Sequence, residues 1–268
     1  MSRIETTFNV LAEQSKTALV TFITAGDPEP NATLPLLHVL VEAGADIIEL
    51  GVPFSDPAAE GPIIQAACER ALKHRINLLQ IFDIVRQFRE KDQKTPIILM
   101  GYLNPVEVLG YSKFAELASS AGVDGVLIVD LPPEEAEVFC SDMDARNIDP
   151  VFLVAPTSTD QRIEAICKKS RGFVYYVSIK GVTGTNEIDV ASVKERVAQI
   201  KQYSTIPVGV GFGINDAHSA AEVAKIADAV VVGSAIVKLV GNNANDSVMM
   251  HQQINTLVTS LRSGIDNK

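Results

Sequence analysis

The chain has 268 residues, 47% of them hydrophobic and 21% charged, and a net charge of −10. That composition belongs to a globular protein with room for a large core, and the acidic balance excludes a nucleic-acid partner, whose phosphates attract basic faces. A small phosphorylated ligand is not excluded, because a local site binds an anion against the global charge.

Ser2-x-x-Glu5 reads as a capping box, and Ile4, Phe8 and Leu11 form the apolar stripe of a short N-terminal helix. Apolar runs then recur at Ala18–Thr24, Asp46–Leu50, Pro96–Gly101, Gly125–Val129, Asp149–Val154, Phe173–Val177, Pro207–Gly211 and Ala229–Gly233. They show little polar alternation, as expected of parallel strands buried on both faces. Amphipathic stripes lie between them. The first is Leu34, Leu37, His38, Leu40 and Val41, and the second Leu78, Ile81, Phe82, Val85 and Phe88. Phe114, Leu117 and Ala118 follow, then Ile163, Ile166 and Cys167, then Val190, Val193, Val197 and Ile200.

Eight alternating strand–helix units in roughly 250 residues predict a closed (β/α)8 TIM barrel. An open doubly wound sheet is the competing architecture, but no G-x-G-x-x-G follows the first strand. The N-terminal helix is extra and is expected to cover the barrel bottom. Gly61–Lys73 reads as another extra helix, after strand two. Asn242–Asp246 is a polar loop and Val248–Leu261 a final helix. No linker separates domains, so residues 1–268 are expected to form one. An echo supports the repeat: Ala43-Gly44-Ala45-Asp46, Ala121-Gly122-Val123-Asp124 and Ile226-Ala227-Asp228 each end a helix and precede a strand. These Asp and Gly residues read as structural punctuation.

No basic segment followed by an apolar run opens the chain, and no apolar stretch approaches the roughly 20 residues of a membrane helix. Cys68, Cys140 and Cys167 are odd in number and widely spaced, which fits reduced cytoplasmic thiols. His38, His74, His218 and His251 form no H-x-H or H-E-x-x-H pair, so no metal site is expected.

In a barrel the chemistry lies in the loops after the strand C-termini. Glu49 is the one carboxylate inside an apolar strand, and burying it unpaired costs several kcal/mol or raises its pKa. Either the group reaches water at the strand end, or its proton is used. Glu60, in the following loop, reads by itself as a solvated charge or a helix cap. With Glu49 it makes a pair whose environments can divide acid and base roles. Gly181-Val182-Thr183-Gly184, Gly211-Phe212-Gly213 and Gly233-Ser234 follow strands six, seven and eight. They predict a backbone cradle for a phosphate, with a short helix starting near Ser234. Lys180 is placed to be a Schiff-base nucleophile, yet it lies past the strand, where a solvated or phosphate-adjacent lysine fits better. Phe22, Tyr102, Tyr175 and Phe212 gather at the same end and suit a flat apolar group.

The stretch Glu49-Leu50-Gly51-Val52-Pro53-Phe54-Ser55-Asp56-Pro57, then Gly61-Pro62, closely resembles the signature of the tryptophan synthase alpha subunit family. The likeness continues at Thr24-Ala25-Gly26-Asp27-Pro28, Met100-Gly101-Tyr102-Leu103-Asn104-Pro105, Asp130-Leu131-Pro132, Gly181-Val182-Thr183-Gly184 and Val210-Gly211-Phe212-Gly213-Ile214. The resemblance covers essentially the whole chain. It implies a (β/α)8 barrel and the retro-aldol cleavage of indole-3-glycerol phosphate to indole and glyceraldehyde 3-phosphate.

By the same resemblance Glu49 moves protons, and Glu60 stands where the family has an Asp that takes or stabilises the indole N–H proton. Glu is one methylene longer, so the loop geometry is expected to differ while the role is retained. The phosphate falls to Gly184, Gly211, Phe212, Gly213, Gly233 and Ser234. Phe22, Met100, Tyr102, Leu127, Val129, Leu153, Tyr175 and Phe212 are implied to line the indole pocket. Thr183 is implied to belong to a closing sixth loop. The resemblance further implies a beta subunit that holds pyridoxal phosphate and receives indole through a tunnel, in an α2β2 complex. Pro53, Asp56, Asn104 and Pro132 are the implied contacts, and the chain itself is expected to use no cofactor or metal.

Overall fold

A computed structural model describes residues 1–178, 190–211 and 213–268. Its strand segments are β1 (Ala18–Thr24), β2 (Ile47–Gly51), β3 (Ile97–Gly101), β4 (Gly125–Ile128), β5 (Asp149–Val151), β6 (Leu153–Val154), β7 (Val174–Val177), β8 (Val208–Gly211) and β9 (Ala229–Val232). All pairings are parallel, in the order β5-β4-β3-β2-β1-β9-β8-β7-β6. The two ends of that order flank a single residue, Phe152, so the sheet is a nearly closed barrel. The run Asp149–Val154, read from sequence as one strand, is corrected to two. Its first half pairs with β4 and its second half with β7. The ladder changes sides at Phe152, whose carbonyl accepts the Tyr175 N–H at 3.1 Å.

The described helices are α1 (Arg3–Glu13), α2 (Pro30–Glu42), α3 (Pro62–Leu72), α4 (Leu78–Arg89), α5 (Leu103–Leu109), α6 (Tyr111–Ala121), α7 (Glu137–Asp144), α8 (Asp160–Lys169), α9 (Val190–Lys201), α10 (Ala217–Ala224), α11 (Ser234–Asn242) and α12 (Ser247–Asp266). Two departures from the sequence reading stand out. The residues after β3 form the short helix α5 rather than a loop, because the Asp130 carboxylate accepts the Leu103 N–H at 2.8 Å and caps it. The last helix runs five residues beyond Leu261, with Ile265 fully buried. None of the described helices is long and apolar enough to cross a membrane.

Alternate residues of each strand face inward. Ala18 and Val20, Ile47, Ile98, Leu127, Val151, Phe173, Ala229 and Val231 make one inner cluster, and Ile4, Phe8 and Leu11 of α1 close it from below. The approach is tight: a Cβ on Gly125, the first residue of β4, would lie 2.9 Å from Ile4 Cδ1. Ser2 caps α1 by accepting the Glu5 N–H at 3.2 Å, and its hydroxyl donates to Asp149 at 2.5 Å. Only this half of the expected capping box is formed.

The repeated Asp residues have a common physical use. Asp46 accepts the Leu19 N–H, Asp124 the Ile97 N–H and Asp228 the Val208 N–H, at 2.8, 2.8 and 2.9 Å. Each lies before a strand and reaches back to the start of the preceding one. The tie satisfies an amide at the open end of the ladder. Asp124 also pairs with Arg89 at 2.7 Å and Arg3 at 2.8 Å. Its side chain is 4% exposed against 39% for Asp228. Removing one partner of a buried ion pair costs about 3–5 kcal/mol, whereas an exposed pair contributes about 0–1 kcal/mol. Asp124→Ala is therefore expected to lower unfolding stability by about 3 kcal/mol or more. Asp228→Ala is expected to cost about 1 kcal/mol through its amide bond. Urea titration of the two variants measures both, and equal losses would contradict this account.

Candidate active site

Glu49 is the middle residue of β2 and shares the inward face with Ile47 and Gly51. In register it stands beside Phe22 on one side and Ile98 on the other. It is 1% exposed, and neither carboxyl oxygen has a hydrogen-bond partner among the described residues. Burial, and then the charge of Glu60, push its pKa to about 8. Gly51 leaves the space next to it for an aromatic ring: a Cβ there would lie 2.6 Å from Phe22 Cζ.

Above the packed inner cluster the inward rows open. Along β3 the buried Ile98 is followed by the half-buried Met100. In the same way Leu127 is followed by Val129, Val151 by Leu153, and Phe173 by Tyr175. Phe22, Met100, Leu127, Val129, Leu153 and Tyr175 thus wall the barrel mouth on the C-terminal side. The Tyr175 hydroxyl is held protonated well above its ordinary range by burial, then by Glu49 and Glu60. Its hydroxyl lies 2.3 Å from where a Cβ on Gly211 would be. Tyr175 thus spans from the two carboxylates to Gly211 at the end of β8, and Glu49 and Gly211 share one end of the barrel.

Glu60 is half-buried in the turn between β2 and α3, and burial raises its pKa. Tyr102, 7% exposed, stacks on Phe54 with ring centroids 5.1 Å apart and turns its hydroxyl to that same loop. The extra helix α3 lies across the mouth: Ile63, Ile64 and Ala67 pack with Phe22, Met100 and with Val237 of α11. Arg70 in its last turn makes a two-point pair with the buried Asp27, at 2.7 and 2.8 Å. Sequence reasoning missed α3 as part of the site. Its apolar stripe was readable, but nothing in one chain told which surface it covers.

The amide groups that open α11 point to the same end. Gly233 is its N-cap, and Ser234 and Ala235 occupy the first turn, where a helix provides no carbonyl partner for the N–H groups. Gly213 holds φ at +78°, a left-handed conformation that favours glycine. Lys180, Thr183, Gly184 and Phe212 lie outside the described residues. Among the residues implied to meet a partner, Asp56 and Asn104 are exposed, Pro132 is half-buried and Pro53 is buried. Among the described residues no group of three His, Cys, Asp or Glu side chains is placed to hold a metal ion.

The Glu49 carboxyl has a cost that depends on pH. Near pH 4.5 the unfolded chain begins to lose this proton, whereas the folded chain keeps it until about pH 8. Stability therefore falls as pH rises through that window and levels above it. Glu49→Gln removes the penalty. It is expected to raise the thermal midpoint little at pH 5 and by about 5–10 °C at pH 8, read by calorimetry across that range.

The family model described as tryptophan synthase alpha chain matches residues 8–266. The tryptophan synthase alpha chain of Nitrosococcus oceani is 56% identical over 266 residues, covering 99% of this chain and 98% of that one. That of Thioalkalivibrio sulfidiphilus is 53% identical, covering 99% and 100%. The crystal structure of tryptophan synthase subunit alpha from Legionella pneumophila superposes with a TM-score of 0.94 at 42% identity and covers 100% of both chains. Tryptophan synthase from M. tuberculosis in its aminoacrylate-bound form gives 0.88 at 33%, covering 99% and 100%. The chain belongs to the tryptophan synthase alpha chain family.

Proposed function

We propose that Glu49 and Glu60 divide the proton transfers of the reaction this chain catalyses as a lyase of tryptophan biosynthesis. That reaction is the retro-aldol cleavage of indole-3-glycerol phosphate to indole and glyceraldehyde 3-phosphate. The observation that carries the assignment is the buried, unpartnered Glu49 carboxyl with its pKa near 8, which keeps it an acid at neutral pH.

Glu49 gives its proton to the indole carbon that bears the side chain. Positive charge then develops on the indole nitrogen, and the Glu60 carboxylate stabilises it or takes the N–H proton. The Glu49 carboxylate, now ionised, removes the proton of the hydroxyl next to the breaking bond. As the carbonyl of glyceraldehyde 3-phosphate forms, the electron pair of the broken carbon–carbon bond returns to the indole ring, and any proton taken by Glu60 goes back to the nitrogen. Glu49 ends protonated, as it began, and indole carries the new hydrogen. Gly211, Gly213, Gly233 and Ser234, with Gly184 and Phe212, hold the phosphate through backbone N–H groups and the start of α11. Phe22, Met100, Leu127, Val129, Leu153 and Tyr175 enclose the indole ring, and burial strengthens the electrostatics around it. Thr183 lies on the loop assigned to closure.

The family relation supports a beta-subunit partner. We place the contact at Asp56, Asn104 and Pro132, with the buried Pro53 shaping the loop, and assign indole transfer to that partner in an α2β2 complex. Pyridoxal phosphate belongs to the partner in this reading, and the chain itself acts without a cofactor, as one domain, in the cytoplasm.

Glu49→Gln is expected to reduce indole release from indole-3-glycerol phosphate by about 10³-fold or more, and Glu60→Gln by about 100-fold, with folded far-UV circular dichroism in both. kcat/KM is expected to be bell-shaped in pH. It falls above about pH 8 as Glu49 loses its proton, and falls on the acid side as Glu60 gains one. Parental turnover by Glu60→Gln would remove Glu60 from the mechanism. A flat alkaline limb would do the same for Glu49 as the acid.

A further inference from the structure

The backbone at Glu60 is gripped from both sides by side chains of other segments. The Ala59 N–H donates to the Tyr102 hydroxyl at 3.0 Å. On the other side Gln65 Nε2 donates to the Glu60 carbonyl oxygen at 2.8 Å. Both holders are themselves fixed. Tyr102 is 7% exposed, stacks on Phe54 and directly precedes Leu103, whose N–H bonds to Asp130. Gln65 sits in the first turns of α3, where its own N–H bonds to the Gly61 carbonyl at 3.0 Å. The far end of α3 is locked by the bidentate Arg70–Asp27 pair, and the Arg70 guanidinium packs against Gly241 of α11, where a Cβ would lie 3.0 Å from Nη2.

We propose that Tyr102 and Gln65 are positioning residues for Glu60: they clamp the peptides at residues 59 and 60 and so aim its carboxylate. This rests on the role given to Glu60 above. The need for a clamp is physical. A Glu side chain has one more rotatable bond than an Asp, so its carboxylate sweeps a wider volume from a given backbone position. A misplacement of about 1 Å costs on the order of 100-fold in rate. Fixing the backbone removes the part of that freedom which the loop would add. The Tyr102 ring meets the loop through its apolar face and the Ala59 amide through its hydroxyl, so the two contributions separate by substitution.

Tyr102→Phe keeps the ring and deletes the acceptor. Gln65→Met keeps the shape and deletes the donor, and Gln65→Lys restores a donor of similar reach. The full chain and these variants are assayed for indole release from indole-3-glycerol phosphate, with and without a beta subunit, alongside Glu60→Gln. The expected result is a fall in kcat of about 10-fold for Tyr102→Phe and for Gln65→Met, with KM changed by less than about 2-fold. Gln65→Lys recovers part of the loss, and thermal midpoints stay near the parent value. Unchanged kcat in both deletions, with Glu60→Gln impaired, overturns the clamp. A rise in KM at constant kcat also overturns it, since the side chains would then only contact substrate. So does a lowered thermal midpoint with parental kcat, which marks a purely structural tie. Parental activity in Glu60→Gln overturns the assignment of Glu60 instead, and is distinguished by that variant alone.

Discussion

Glu49 carries a carboxyl into the barrel interior, where it is 1% exposed and no described side chain or amide bonds to it. A neutral carboxyl in such a place costs far less than an ionised one, so the fold holds the proton on until about pH 8. The surroundings are arranged around that requirement. The neighbouring inward positions are apolar, the Phe22 ring fills the space a Cβ on Gly51 would take, and Tyr175 offers a hydroxyl that is itself kept neutral by burial. A cation or a strong donor beside Glu49 would ionise it and forfeit the acid.

The two ends of the barrel are built on opposite electrostatic rules. At the bottom, charges are paired. Asp124 binds Arg89, Arg3 and an amide, while Asp46 binds Arg262 and an amide. These ties pin strand starts and contribute stability. At the top, among the described residues, both oxygens of Glu49 and the Thr24 hydroxyl have no hydrogen-bond partner, and the first turn of α11 presents amides for which a helix has no internal carbonyl. Unsatisfied groups cost stability and are tolerated where a ligand completes them. On that side the Arg70–Asp27 pair holds α3, whose apolar residues pack with Phe22 and Met100.

The extra helix α3 links the loop that carries Glu60 to α11. It starts just after Glu60, covers Phe22 and Met100 through Ile63, Ile64 and Ala67, and meets Val237 of α11. A shift of α3 would therefore alter the loop that carries Glu60, the aromatic wall and the helix that opens at Ser234 together. Rigid elements of this kind hold a reacting geometry better than loops do.

How much was legible in sequence follows from which forces are local. Strand and helix positions were readable because apolar periodicity is written in consecutive residues, and parallel strands buried on both faces need continuous apolar runs. The odd polar residue inside such a run, Glu49, was visible for the same reason, as were glycines at strand ends. The sequence alone thus determined the alternating units and the one carboxylate inside an apolar strand. Closure at Phe152, the capping of α5 by Asp130, the back-reaching Asp ties and the grip of Tyr102 and Gln65 on the Glu60 loop were decided only by the tertiary structure. Each joins segments far apart in the chain or depends on where one side chain turns. Such contacts leave no periodic trace, because their partners are chosen by packing rather than by spacing.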